Sequence, residues 1–267
     1  MKVNILGSGT SIGVPMPTCT CEVCQSKDPK DNRWRCSALV ETDEGKQILV
    51  DCGPDFRLQS LRANIQHLDA LLLTHNHFDH CYGIDDLRPW AYFTPLDTYA
   101  DEGMSQALMT RWDYIFVHCY PGVPKLPLHT LHPSRGDSFM VGDTEVTPIR
   151  CYHGKLPILG YRIGRLGYIT DCTGIDPRDL PKLEGIDTLI IDALRWTEHP
   201  THYSVAQAME IVDRLRPRQT FFTHMSHDIG LHRDFSERLV KELGDRYPIT
   251  LLQTVQLAYD TLEVNVK

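Results

Sequence analysis

The chain has 267 residues, of which 42% are hydrophobic and 23% charged, and its formal charge is −8. Such a composition is typical of a chain that buries a core, and it excludes long disordered or fibrous segments. The acidic balance argues against a protein that follows a nucleic-acid backbone, because that task needs clustered Lys and Arg. No apolar run approaches the roughly 18 residues that span a bilayer, and the N-terminus lacks the apolar stretch of a signal peptide. We therefore expect a cytoplasmic protein with no membrane partner.

Short apolar strands alternate with helices along the whole chain. In the first half the pattern predicts a strand over 3–6, a Gly-rich bend over 7–13 that lines a site, a hairpin of Ser37–Glu41 and residues 47–51, strands over 69–74 and 98–100, and a helix over 105–112. In the second half it predicts strands over 144–149, 160–163, 167–170, 188–191, 220–223, 249–252 and 257–259, with helices over 205–215, capped by Ser204, and over 236–243. No repeat, low-complexity tract or linker interrupts residues 1–267, which predicts a single domain.

Polar side chains that can bind metal follow the ends of several predicted strands. Examples are His75 after residues 69–74, Asp171 after 167–170, Asp192 after 188–191 and His224 after 220–223. Loops beyond strand ends can converge around one crevice, so we expect these side chains to lie close together.

A dense cluster of such residues is the HxHxDH motif formed by His75, His77, Asp79 and His80. Because His75 and His77 are two residues apart, extended backbone points both rings to the same side. Asp79 and His80 follow within a turn and can reach a second position. Imidazole and carboxylate ligands together suit zinc, manganese or iron rather than calcium, so the motif predicts a site for a divalent transition metal.

This motif resembles the signature of the metallo-β-lactamase superfamily, an α/β fold in which two facing mixed sheets carry helices outside them as a four-layer αβ/βα sandwich. The resemblance implies that Asp51 supports the histidine loop, that Asp171 bridges two metals, and that His153 and His224 complete the ligand set. It implies one metal held by His75, His77, His153 and Asp171. It implies a second metal held by Asp79, His80, His224 and Asp171.

Three cysteines lie within six positions, at Cys19, Cys21 and Cys24, and a closed tetrahedral zinc site would need one more ligand. His227, three residues after His224, is the candidate. This pairing resembles the phosphoribosyl cyclic phosphodiesterase family of carbon–phosphorus lyase pathways. The resemblance implies a structural zinc that anchors a loop over about 17–36 to the loop carrying His224. A redox or disulfide-forming cluster is the alternative. The six other cysteines are predicted to be small buried hydrophobic residues: Cys36, Cys52, Cys81, Cys119, Cys151 and Cys172.

His202 lies in the segment Glu198-His199-Pro200-Thr201-His202, just before a predicted helix. In phosphodiesterases of the same superfamily this place holds a histidine that contacts the scissile phosphate, so the resemblance implies that His202 protonates the leaving group. It places Asp79 and Asp171 beside it as catalytic residues. His199 is expected to face solvent.

The resemblance implies a hydrolase that cleaves a small phosphodiester, first of all a cyclic ribose phosphate, with a hydroxide activated by two zinc, manganese or iron ions. Several aromatic residues lie between 90 and 120; some are expected to pack the core and a few to line the site. The alternatives are a tRNA 3′-end endonuclease, a non-hydrolytic protein resembling one of quinone-cofactor biosynthesis, and a thioester hydrolase or iron oxygenase of the same fold. Nucleic acid is not the expected partner, and a homodimer is left open.

Overall fold

The computed structural model describes residues 1–118 and 120–267. In these residues the strands are β1 (Lys2–Gly7), β2 (Ser37–Glu41), β3 (Gln47–Val50), β4 (Ala70–Leu72), β5 (Asp97–Asp101), β6 (Leu128–Leu131), β7 (Phe139–Val141), β8 (Thr144–His153), β9 (Leu156–Ile163), β10 (Leu166–Ile169), β11 (Gly174–Ile175), β12 (Thr188–Asp192), β13 (Gln219–Thr223), β14 (Val255–Leu257) and β15 (Glu263–Asn265). The α-helices are α1 (Glu22–Gln25), α2 (Phe56–Ala63), α3 (Phe78–Cys81), α4 (Arg88–Ala91), α5 (Glu102–Arg111), α6 (Asp113–Phe116), α7 (Val205–Leu215), α8 (Phe235–Leu243) and α9 (Ile249–Leu252). None of the helices in this described part is long and apolar enough to cross a membrane.

The strands form two mixed sheets. The first has the order β15-β1-β2-β3-β4-β5-β6, and the second has the order β11-β8-β9-β10-β12-β13-β14, with β7 paired to β8. Alternate residues of the first sheet face different neighbours, as the two-residue period of a strand requires. Ile48 and Val50 of β3 pack toward the second sheet, whereas Leu49 packs against the helices outside. Both faces of the sheet are therefore covered, and the predicted αβ/βα sandwich is confirmed.

Four parallel strands in each sheet point their carboxyl ends toward one edge of the sandwich. In the first sheet β3, β4, β5 and β6 run parallel, and in the second sheet β10, β12, β13 and β14 do so. Asp51 follows β3, Asp171 follows β10 by one residue, Asp192 ends β12 and His224 follows β13. The fold thus places the predicted strand-end ligands at a common edge.

Most predicted elements are present, with shifts of a few residues at their ends. The helix predicted over 205–215 has the same bounds as α7. Ser204 caps it and exchanges hydrogen bonds with Gln207 in a capping box, which is a local sequence signal. The strand predicted over 249–252 is wrong. These residues form α9, which begins directly after Pro248, a residue whose fixed φ suits the start of a helix. The strand predicted over 257–259 lies instead at Val255–Leu257.

Five of the six scattered cysteines are fully buried, as predicted: Cys36, Cys52, Cys81, Cys151 and Cys172. Cys119 lies outside the described residues, so its burial stays a prediction. The aromatic residues between 90 and 120 include the expected core residues, whereas the lining of the site by others stays a prediction. Trp112 is buried, and Trp90 packs against the same core, whereas Tyr92 and Phe93 are exposed.

The Gly-rich bend after β1 approaches the loop that carries His224. Gly9 donates its N–H to Trp34 O, and Thr10 donates its N–H to Met225 O. A Cβ at Gly9 would meet the backbone oxygen of Arg33 at 2.6 Å, so only glycine fits this approach. The bend therefore packs against the residue that follows His224.

Candidate metal centre

Three residues at the common sheet edge have a left-handed backbone conformation that non-glycine residues seldom adopt. Asp51, Asp171 and His224 have φ angles of 60°, 52° and 57°. Each residue ends the course of a parallel strand, and the left-handed conformation turns the chain there. Such strain persists only where the surrounding structure enforces it, and it is concentrated at functional sites.

Asp171 is the centre of the cluster. Its Oδ2 lies 3.0 Å from His75 Nε2, 3.3 Å from His80 Nε2, 3.8 Å from His224 Nε2 and 3.9 Å from His77 Nδ1. The carboxylate is fully enclosed by these rings. One oxygen shared among four imidazoles is the arrangement expected of a bridging ligand.

The other oxygen of Asp171 contacts a second set of histidines. Oδ1 lies 2.7 Å from His153 Nδ1 and 3.0 Å from His202 Nδ1. The candidate ligand atoms of His153, Asp171 and His202 form a group within 4.8 Å, although the His153 ring centroid is 5.0 Å from that of His202 as well as from that of His77. The His153 ring centroid is 5.8 Å from that of His75.

Asp79, His80, Asp171 and His224 form a compact group whose candidate ligand atoms all lie within 4.8 Å of one another. Asp79 Oδ2 lies 3.1 Å from His80 Nε2 and 3.3 Å from His224 Nε2. His75, His77 and Asp171 form a second such group. The structure thus brings all seven predicted ligands together, with His153 at the margin.

Several of these close pairs are not hydrogen bonds. His75 Nε2 and Asp171 Oδ1 are buried, and within the described residues neither has a hydrogen-bond partner. Buried polar atoms are rarely left so, since each costs the free energy of its lost hydration. Lone pairs that converge without sharing protons are what a cation requires, so the donor set fits bound divalent metals.

The electrostatics of the buried carboxylates agree with this interpretation. The ion-pair partners of Asp79 and Asp171 within the described chain are all histidines. Burial opposes a charge on His80, but the facing carboxylates of Asp79 and Asp51 outweigh it and raise the pKa of His80 well above its ordinary value. These carboxylates attract positive charge, which a divalent cation would provide.

Asp51 fixes the ring orientation of two histidines. His80 Nδ1 donates to Asp51 Oδ2 at 2.6 Å, which leaves His80 Nε2 free for a metal. The Thr74 hydroxyl donates to the same carboxylate at 2.9 Å. Because its one proton is committed, the hydroxyl accepts from His75 Nδ1, 3.0 Å away, and the lone pair of His75 Nε2 points to Asp171. This geometry matches the supporting role that the resemblance implied for Asp51.

His202 has a carboxylate partner, Asp192, to which the sequence analysis gave a place at the strand ends but no role as a ligand or catalytic residue. Asp192 is fully buried; its Oδ2 accepts from the N–H of Cys172 at 3.0 Å and lies 3.3 Å from His202 Nδ1. Burial and repulsion by Asp171 raise the pKa of Asp192 to about 8, whereas burial lowers the pKa of His202 to about 4. Both shifts favour the neutral forms of the two groups, and the role of His202 in protonating the leaving group stays a prediction. The available signal was the strand over 188–191, which ends in a carboxylate as other site strands do.

His199 is half-buried rather than solvent-facing, so that expectation is wrong. Its ring centroid is 4.8 Å from that of His202. Its Nδ1 lies 3.3 Å from the N–H of Thr201, which folds the segment back toward the metal cluster. The pairing of two histidines three residues apart was visible in the sequence, but the fold of their loop was not.

The three clustered cysteines converge on His227. Its Nδ1 lies 3.3 Å from Cys19 Sγ, 3.2 Å from Cys21 Sγ and 3.6 Å from Cys24 Sγ. Tetrahedral zinc with ordinary Zn–S and Zn–N bonds separates sulfur from nitrogen by about 3.5 Å, so the four side chains fit such an ion. A hydrogen bond from the N–H of Cys24 is the main reason that the pKa of Cys21 falls to about 6, which favours the thiolate form that binds metal.

A buried arginine ties the same loops together. Arg33 is fully buried, and its guanidinium donates to Ser226 O and Gly230 O, both at 3.1 Å. It also forms an ion pair with Asp31. The N-terminal loop therefore holds both ends of the segment that contains His227.

Comparisons with known proteins agree with this geometry. Residues 46–225 match the family model of the beta-lactamase superfamily domain. The chain belongs to the metallo-β-lactamase superfamily. It superposes on a crystal structure described as a new diphosphatase from the PhnP family with a TM-score of 0.84 and 35% identity, over 100% of this chain and 98% of that one. The superfamily and this relative support the assignment of the chain as a metal-binding hydrolase domain.

Two further relatives support different conclusions about this chain. An octanoyltransferase of Porphyromonas gingivalis is 42% identical over 249 residues, which cover 92% of this chain but 50% of that protein. The chain thus spans half the length of that relative. Zinc-bound PqqB from Methylobacterium extorquens superposes with a TM-score of 0.75 over 99% of this chain and 100% of that one, but at 20% identity this likeness shows the fold alone.

Proposed function

We propose that this metallo-β-lactamase protein is a phosphodiesterase that uses two divalent cations. The observation that carries the proposal is the convergence of His75, His77, Asp79, His80 and His224 on one carboxylate, Asp171, with His202 on its other oxygen. When bound, the cations would supply the Lewis acidity that lowers the pKa of water and neutralises phosphate oxygens. A structural zinc held by Cys19, Cys21, Cys24 and His227 belongs to the same proposal, and zinc, manganese or iron suits the paired site.

The side chains of this protein position the reaction. Asp171 would help to hold both cations, one together with His75, His77 and His153 and the other together with Asp79, His80 and His224. Asp51 keeps His75 and His80 in the tautomer that binds metal, since it accepts from His80 Nδ1 and from Thr74. The ligands are thus oriented before a substrate arrives.

His202 and Asp192 are the proposed proton source. The leaving alkoxide of a phosphodiester needs a proton, and general acid help of this kind contributes roughly 10²–10⁴-fold to the rate. Asp192 Oδ2 lies 3.3 Å from His202 Nδ1, so the carboxyl can pass its proton to Nδ1 as Nε2 protonates the leaving oxygen. Asp192 acts through His202 and is a positioning residue.

A small phosphodiester is the substrate class that we infer, with a cyclic ribose phosphate as first choice. The full-length likeness to a PhnP-family diphosphatase, at 35% identity, supports cleavage of a phosphate-linked substrate. The acidic chain, at −8, disfavours a tRNA substrate, because tRNA binding needs a cationic surface. The filled ligand set disfavours a non-hydrolytic protein.

Hydrolysis of an acyl thioester is a second candidate. It is favoured by the 42% identity to an octanoyltransferase, although the match covers 50% of that protein. Octanoyl-coenzyme A tests this candidate directly, because its hydrolysis releases a free thiol.

The experiment is a substrate panel with the metal-loaded protein: bis(p-nitrophenyl) phosphate, a ribose cyclic phosphate, a precursor tRNA and octanoyl-coenzyme A. We expect turnover of the first two, and loss of that turnover in Asp171→Asn prepared in parallel. Preferred cleavage of the precursor tRNA would favour the endonuclease, and preferred release of thiol would favour the thioesterase. Turnover of none of the four would contradict the proposal.

A further inference from the structure

An exposed pair of aromatic rings lies on and directly after the HxHxDH segment. Phe78 stands in the chain between His77 and Asp79, and it is 53% exposed. Tyr82, four residues later, is 44% exposed, and the two ring centroids are 4.4 Å apart at an angle of 34°. Tyr82 directly follows α3 and donates its N–H to Phe78 O at 3.1 Å, so this helical turn presents both rings on one side. Asp79 and His80 lie between them in sequence and are buried.

The pair is held in place by α5 and the residue that follows it. Trp112, which is buried, meets the Tyr82 ring edge-on at a centroid distance of 5.2 Å and an angle of 77°. Arg111 donates from Nη1 to Asn76 O at 2.7 Å, which fixes the backbone just before His77. The Arg111 guanidinium also lies 5.9 Å from the Tyr82 ring centroid. The Tyr82 ring and the backbone before His77 are therefore fixed in advance of binding.

We propose that Phe78 and Tyr82 form a stacking platform for an aromatic base on the substrate, so that the phosphodiester is a nucleoside derivative. The inference rests on the proposed function, because it names the group that the substrate carries beside the reacting phosphate. Exposed aromatic rings lose contact with water when they stack on a planar base, and such stacking commonly contributes roughly tenfold or more to affinity. Every nucleobase has such a face, so the platform favours substrates that carry any nucleobase and does not distinguish one nucleobase from another.

The position of the platform argues for substrate binding rather than chance exposure. His77, the neighbour of Phe78 in the chain, has a side chain that is 43% exposed, although its Nδ1 lies 3.9 Å from Asp171 Oδ2. The metal cluster therefore opens to solvent at the residue beside the platform. Phe93, in contrast, follows α4 and is 88% exposed without belonging to the metal-site loop.

Three diesters that share one leaving group test the inference. Thymidine 5′-(p-nitrophenyl phosphate) carries a base and a sugar, ribose 5-(p-nitrophenyl phosphate) carries the sugar alone, and methyl p-nitrophenyl phosphate carries neither. We expect kcat/KM for the thymidine ester to exceed that for the ribose ester by about tenfold. Phe78→Ala should lower this ratio about tenfold, mainly through KM, because a contact with a non-reacting part of the substrate is uniform binding.

Matched variants separate stacking from folding. Phe78→Trp should keep the ratio, since it keeps a flat ring, and Phe93→Ala should leave it at the wild-type value. Metal content of each variant is measured beside the kinetics, because Phe78 is adjacent to two ligands. Calorimetry with thymidine 5′-monophosphate gives a readout without turnover, and Phe78→Ala should raise its Kd about tenfold.

Two results would overturn the inference: equal kcat/KM for the thymidine and ribose esters in the wild type, or an unchanged ratio in Phe78→Ala with full metal content. Failure of the metal-loaded wild type to hydrolyse any of the three esters would contradict the proposed function itself. A wild type that hydrolyses all three without preference would leave the proposed function standing and remove only the platform.

Discussion

Replacement of Asp51 by asparagine should weaken metal binding without removing a ligand. The Asp51 carboxylate accepts from His80 Nδ1 at 2.6 Å and from the N–H of Thr74 at 2.9 Å, both in a fully buried setting. An amide has one accepting oxygen and one donating nitrogen. It can satisfy either partner but presents an N–H to the other. If the amide nitrogen faces His80 Nδ1, the proton of the imidazole moves to Nε2, where it blocks the lone pair that faces Asp171.

The magnitude follows from the hydrogen bond that is lost. A hydrogen bond to a charged group contributes about 1.5–3 kcal/mol, which corresponds to roughly 10–150-fold in affinity. Loss of a partner behind a metal-binding histidine typically costs about 10–100-fold, so the two values agree. We expect the metal affinity of Asp51→Asn to fall by about 10–100-fold, as measured by competition with a chromophoric chelator.

Asp69→Asn is the matched control. Asp69 also accepts a backbone N–H, from Gln47 at 2.8 Å, and it pairs with Lys46, but it lies at the opposite end of β3 and β4. Its replacement should leave the metal affinity at the wild-type value. Wild-type affinity and stoichiometry in Asp51→Asn would refute the reasoning, because His80 would then need no partner to bind metal.

Three further variants test other parts of the account. His202→Ala should keep the paired metals and lower kcat by roughly 10²–10⁴-fold; equal loss of metal and activity would make His202 structural. Cys21→Ser should remove about one metal equivalent by elemental analysis, and an unchanged content would contradict the four-ligand site. Hydrogen bonds from Arg218 lower the pKa of Asp187 from 3.8 to about 2, so this carboxylate stabilises the fold above pH 4 and the stabilisation is lost as the pH falls toward 2. Asp187→Asn should therefore have a lower Tm than the wild type at pH 7, and its Tm should fall less between pH 4 and pH 2. Parallel plots of Tm against pH for the two proteins, measured by circular dichroism, would contradict this prediction.

The convergence of the candidate ligands could be predicted because short sequence patterns determine it. The HxHxDH motif supplies candidate ligands that are neighbours in the chain, and His224 directly follows the last residue of β13. Parallel strands bring such ends to one edge, so the convergence on Asp171 follows once the strands are known. The capping box at Ser204 is equally local, and the helix after it was predicted exactly.

Features that depend on tertiary packing were missed. Asp192 ends β12 as other site residues end their strands, but its contact with His202 depends on how residues 199–202 fold back. His199 faces the site for the same reason. Residues 249–252 are Ile-Thr-Leu-Leu, with β-branched residues at the first two positions, and such a short run fits a strand or a helical turn equally well. Packing of α9 against α8 settles that ambiguity, and periodicity alone does not.

Metal stoichiometry by elemental analysis of the wild type and of Asp171→Ala tests the central claim most directly. Two cations that share Asp171, with a third in the cysteine cluster, predict about three equivalents per wild-type chain and about one in the variant. A wild-type chain that holds a single zinc, retained unchanged in Asp171→Ala, would contradict the paired centre.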